Sequence, residues 1–149
     1  NKPYPQRSIR TKDHLYIVNF EPDRWPMGSP GPLADGDVPD TDALTNNTFA
    51  AFADLDGSPT KAWMIENRNV EEFKKQYELG FGKRPERELY VTAEDPDQIN
   101  NRAGDPSLAE VESTLHKRLM KELKGAADPR VTEDPVRYES GAFVSEFKK

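Results

Sequence analysis

The sequence predicts an α+β fold: a small antiparallel sheet of about four strands, covered on one face by a C-terminal helix, with long irregular loops. Three observations lead there. Leu108, Val111, Leu115, Leu119 and Leu123 recur at three- and four-residue steps, which puts them along one stripe of a helix running from Ser107 to Lys124. His14 to Phe20 alternates as a strand but is apolar on both sides, with Leu15 and Ile17 pointing one way and Tyr16, Val18 and Phe20 the other. Between these two segments lie many prolines and glycines, which exclude regular structure over much of the chain.

The elements follow in order. Ile9 and Thr11 mark a first strand, Lys12-Asp13 a tight polar turn, and His14–Phe20 the second strand. The stretch 21–48 holds Pro22, Pro26, Pro30, Pro32 and Pro39 and reads as a long loop, in which Trp25 and Met27 are large apolar groups. Ser58-Pro59 has the form of an N-cap followed by a first helical residue, so a helix is expected from Pro59 to about Asn67. A further helix is expected from about Val70 to Leu79, with Val70, Phe73 and Tyr77 on one face and Gly80-Phe81-Gly82 as the turn that ends it. Glu88 to Val91 is the next strand. Asp105 caps the long helix, Pro106 opens it, and Gly125 is placed to supply a left-handed residue at its end. Residues 126–149 read as an irregular tail, with Ala142-Phe143-Val144 as an added edge strand. The long helix covers one face of the second strand. No other segment offers a cover for the opposite face.

Composition narrows the function. The 149 residues fit one domain, or a piece of one, and only 34% are hydrophobic, so the core is thin. A net charge of −6 argues against a nucleic-acid partner, since phosphate recognition calls for a basic face. The absence of cysteine rules out a disulfide, a thiol nucleophile or a thiolate metal site within these residues. No apolar run approaches the roughly 18 residues that span a bilayer. Beginning at Asn1, the sequence is expected to be a fragment of a longer chain.

No complete catalytic site emerges from the residues. Asp54-x-Asp56 resembles the start of a calcium loop, but Pro59 and Ile65 stand where glycine and glutamate are required, so no metal site is assigned. His14 and His116, the two histidines, lack partners at ligand spacing and read as surface or rim residues. Ser8, Ser58, Ser107 and Ser145 lie in no nucleophile-elbow motif. Asn46-Asn47-Thr48 fits a glycosylation sequon. Two readings besides the one below remain open on the residues alone. One is a free-standing, secreted carbohydrate-binding or structural module. The other is a small hydrolase using acids and His14.

Several segments carry a family resemblance. Arg7 through Phe20 resembles the first hairpin of the C-terminal subdomain of sulfatases. Glu88-Leu89-Tyr90, then Asp95-Pro96-Asp97-Gln98-Ile99-Asn100-Asn101 and Asp105-Pro106, resembles that subdomain's ELYD…DPxExxNL…DP signature, with Val91 and Arg102 standing where the family often has Asp and Leu. Asn19 to Pro26 and Asp56 to Lys61 are most similar to the sulfamidase (N-sulfoglucosamine sulfohydrolase)-like members. The resemblance implies a sheet with a helix on one face and a large α/β domain docked on the other. That N-terminal domain would hold the formylglycine, formed in a C/S-x-P-x-R motif, and a calcium ion, both absent from this chain. It further implies a parent that hydrolyses sulfate esters or sulfamates on glycosaminoglycan-type sugars, exported or periplasmic if bacterial. Within this chain it points to Asn19, Arg24, Trp25 and Lys61 as groups that reach a sulfated sugar, Arg24 and Lys61 by pairing with its sulfate or carboxylate.

Overall fold

The computed structural model describes residues 3–139, and these form an α+β fold. The candidate edge strand at 142–144 lies outside the described residues. By internal contacts the chain divides into two compact units, one made of Asn1–Tyr4 with Pro22–Arg84, the other of Pro5–Glu21 with Pro85–Lys149.

The second unit contains the sheet. Strands β1 (Gln6–Arg10), β2 (His14–Asn19) and β3 (Arg87–Val91) are antiparallel, with β2 in the centre. The β1–β2 turn closes because the Thr11 hydroxyl accepts the amides of Asp13 and His14. In register, Ile9, Tyr16 and Leu89 stand side by side on one face, and Leu15 and Tyr90 on the other. Helix α4 (Ala109–Gly125), preceded by a 3-10 turn at Pro106–Leu108, lies on the Tyr16 face. There Tyr16, Val18, Leu89, Leu115 and Leu119 form a buried cluster, flanked by Ile9, Phe20, Leu108, Val111 and Leu123. All five residues of the predicted stripe therefore take part in the packing.

Three details differ from the sequence expectation. Among the described residues the sheet has three strands rather than about four. The position beyond β3 is filled instead by Asn101 and Arg102. The Leu89 amide donates to Asn101 Oδ1 at 2.8 Å, the Arg102 amide donates to the Leu89 carbonyl at 2.7 Å, and Asn101 Nδ2 reaches the Arg87 carbonyl at 3.1 Å. An asparagine side chain thus takes up backbone groups at the outer edge of β3. Second, Gly125 is still helical; the left-handed residue is Ala127, at φ 53°, whose amide donates to the Lys124 carbonyl while that of Asp128 donates to Leu123. Third, the tail is not wholly irregular. Asp128 caps a short helix α5 (Pro129–Thr132), accepts Arg7 Nε at 2.6 Å, and has its pKa lowered chiefly by that arginine. Arg130, its side chain buried, pairs with Glu21 and Glu139.

The first unit is helical. Helix α1 (Thr41–Asn46) rises inside the stretch expected to be loop, because Asp40 accepts the Ala43 amide as an N-cap. Helix α2 (Pro59–Glu66) starts where Ser58-Pro59 predicts, with the Ser58 hydroxyl accepting the Lys61 amide. Helix α3 (Glu71–Phe81) runs two residues further than expected, since Phe81 belongs to the core rather than to a turn. Leu44, Ala51, Phe52, Ala62, Ile65 and Phe81 are buried together. Phe52 is the hub: its ring meets Phe81 at 4.8 Å, Trp25 at 5.9 Å and Tyr77 at 6.5 Å between centroids. Its φ of 45° lies in the left-handed region, a strain that the aromatic packing must offset.

Candidate functional site

Three of the four sequence-predicted site residues lie in the first unit. Lys61 is 1% exposed. Its ammonium donates to the carbonyls of Leu55 at 2.7 Å, Thr48 at 3.1 Å and Phe52 at 3.3 Å. Burial lowers its pKa from the usual 10.5, with Asp56 acting in the opposite direction. All three ammonium hydrogens are engaged, so an anion would have to displace a carbonyl to reach them. Lys61 is a clamp across the 48–57 segment. That segment runs close to α1, where a Cβ on Gly57 would meet the Thr45 carbonyl oxygen at 2.8 Å.

Trp25 is half-buried, with its ring edge-on to Phe52 and the Lys83 ammonium 5.4 Å from its centroid. It anchors the loop that leads out of the sheet. Arg24, next to it and half-buried, donates from Nη1 to the Pro3 carbonyl at 3.0 Å.

Asn19 belongs to the second unit, at the end of β2, and is fully buried. Its Nδ2 donates to the Pro85 carbonyl at 2.7 Å and to Glu88 Oε1 at 2.8 Å. Glu88 Oε2 accepts the Tyr90 hydroxyl at 2.5 Å. This network lies on the sheet face that α4 does not cover, beside half-buried Leu15 and Ile17. Glu88 is 5% exposed, and among the described residues no lysine or arginine pairs with it. Asn19 Oδ1 is also buried without a hydrogen-bond partner. Both Glu88 oxygens are thus already bonded, and Asn19 Oδ1 is the acceptor left over, on a face that also carries Gln6, Ser8 and Arg10 of β1 beside Leu15 and Ile17. Sequence reasoning singled out Asn19 but missed Glu88 and Tyr90, which stood in plain view as alternate residues of one strand.

The signature residues of the β3–α4 connection have structural duties. The Asp95 carboxylate accepts the amides of Ile99 at 3.2 Å and Asn100 at 2.9 Å, and Asp105 accepts those of Ser107 through amide and hydroxyl alike. Asp105 is held at a pKa of about 2, first by the Ser107 hydroxyl and then by Arg102. Among the described residues no group of three or more His, Asp or Glu converges on a metal-sized point, and no helix is long and apolar enough to cross a membrane.

No family model matches the sequence, and a search of curated proteins returns no match.

Proposed function

We propose that this chain is the C-terminal subdomain of a formylglycine-dependent sulfatase, nearest the sulfamidase-like members. The parent would hydrolyse sulfate esters or sulfamates on glycosaminoglycan-type sugars. The observation that carries the reading is the two-sided sheet. One face is covered by α4; on the other, half-buried Leu15 and Ile17 stand beside the buried Asn19–Glu88–Tyr90 network and the polar side chains of β1. A further domain docked there would complete the burial of these two side chains and could offer a donor to Asn19 Oδ1. Supporting it is the fit of the resemblance's motif residues to their positions: Asp95 orders the turn after β3, Asn101 takes up backbone groups at the sheet edge, and Asp105 starts the helical cover.

In this reading the sulfur chemistry is supplied by the formylglycine and calcium of the preceding domain. This chain's residues hold and shape. Trp25 fixes the loop that follows β2, and Arg24, carried on that loop, is the group assigned to an oxyanion of the sugar. Lys61 sets the shape of the 48–57 segment from within rather than meeting the substrate. The test begins upstream in the same open reading frame. A C/S-x-P-x-R motif there agrees with the proposal; a frame that starts at Asn1 and encodes nothing before it contradicts it. In the parent enzyme, Arg24→Ala is expected to raise KM for a sulfated sugar by roughly tenfold. An unchanged KM removes Arg24 from the pocket.

A further inference from the structure

Beside its core stripe, α4 carries a second row, Ala109, Glu112, Ser113, His116 and Lys117, again at three- and four-residue spacing. With Arg87 at the start of β3, these residues line a hollow of about 300 Å³. The small side chains at 109 and 113 make the room. A row of this kind ordinarily presents charges to water; here one side chain is held from below. The Tyr16 hydroxyl lies 3.0 Å from His116 Nδ1, and the two rings meet edge-on with centroids 6.0 Å apart. Tyr16 is fully buried, and burial raises its pKa, so the phenol keeps its proton. The contact engages Nδ1 and leaves Nε2 as the second ring nitrogen. His116 is thereby held through one ring nitrogen, with the other left over.

The other groups point the same way. Glu112 is the acid of the hollow, and its oxygens are engaged: Oε2 accepts the Gly104 amide at 2.8 Å, and Oε1 lies 3.8 Å from Arg87 Nη1. Arg87 is half-exposed and also lies 3.5 Å from Glu86, through Nε. Lys117 has no ion-pair partner among the described residues. The hollow therefore offers the Lys117 ammonium, the Ser113 hydroxyl, an imidazole nitrogen and the Arg87 guanidinium, the last shared between Glu112 and Glu86. We propose that this hollow, formed by Arg87, Ser113, His116 and Lys117, binds the oxyanion of a small molecule, sulfate being the test case. The ion could be free or borne on a sugar. This inference rests on donor placement alone and stands or falls separately from the sulfatase reading.

The test uses the whole 149-residue chain, in which His14 is the only other imidazole. Imidazole resonances are followed by NMR at constant ionic strength during titration with sodium sulfate, glucosamine 6-sulfate and unsulfated glucosamine. The expected result is a saturable shift of His116, and not His14, with sulfate and the sulfated sugar but not with glucosamine. Tighter binding of the sulfated sugar assigns the site to a sulfate ester; equal or weaker binding assigns it to the free anion. Lys117→Gln and Arg87→Gln are each expected to weaken binding by about tenfold, the effect of losing one charge-assisted contact. The proposal is overturned if sulfate gives no saturable His116 shift, or if both variants leave that shift unchanged.

Discussion

Replacing Lys61 by methionine removes the cation at the centre of the first unit while keeping most of its apolar length. The three carbonyls now served at 2.7, 3.1 and 3.3 Å would lose their common donor. A hydrogen bond from a charged donor contributes ~1.5–3 kcal/mol net. Counting only the two shorter bonds, at the low end of that range, gives a loss of about 3 kcal/mol. No cavity adds to this, because methionine fills similar volume. For a unit of this size, a loss of that magnitude lowers the melting temperature by roughly 10–20 °C and removes much of the total stability. Both tryptophans, Trp25 and Trp63, belong to the first unit, so their fluorescence during urea unfolding reports on it without labels. Lys61→Met is expected to move that transition to much lower urea, with the far-UV signal of the sheet unit retained. If its midpoint matches that of the unchanged protein to within about 0.5 kcal/mol, Lys61 is not a clamp and its burial needs another explanation.

Three further outcomes follow from the second unit. Asn101→Ala frees backbone groups at the outer edge of β3 and is expected to cost about 2 kcal/mol, with faster hydrogen exchange at the Leu89 amide; unchanged exchange there refutes this role of Asn101. Ala127→Gly relieves an alanine held at φ 53° and is expected to raise stability by ~0.5–1 kcal/mol in urea unfolding, whereas a loss would contradict the strained C-terminal turn. Asp128 has its pKa lowered by Arg7 below the usual 3.8, so its contribution is complete above that ordinary value and is lost as pH falls through the lower folded value. Asp128→Asn should therefore flatten the acid limb of the stability curve below about pH 4, and a limb of unchanged slope counts against the Arg7 pairing.

Much of the fold could be read from the sequence because local signals and burial agree there. The five-residue stripe of α4, the Asp105 and Ser58 caps and the alternation of His14–Phe20 each need only spacing and side-chain chemistry to be recognised. What escaped were substitutions of one device for another. Among the described residues, an asparagine side chain takes up backbone groups at the outer edge of β3, and an alanine takes the left-handed position two residues beyond the available glycine. Helix α1 was hidden because it is short and sits amid prolines, although Asp40 followed by Thr41 and Asp42 was its start signal. The site was less legible for a different reason. A lysine that looks like an anion ligand and a lysine that holds three carbonyls have the same one-letter code, and burial alone separates them. Likewise Glu88 and Tyr90 read only as members of a strand and a family signature until the register puts them beside Asn19.

The most direct measurement is sulfate release, followed by ion chromatography, from N-sulfoglucosamine and glucosamine 6-sulfate. It would be run on this chain alone, on any longer polypeptide that the same reading frame encodes, and on that longer polypeptide with Leu15 and Ile17 both changed to lysine. A docked sulfatase subdomain predicts no release by the chain alone, release by the extended protein, and a loss of soluble, active protein when the two apolar side chains become charged. Release by this chain alone, or full activity with both lysines in place, would contradict it.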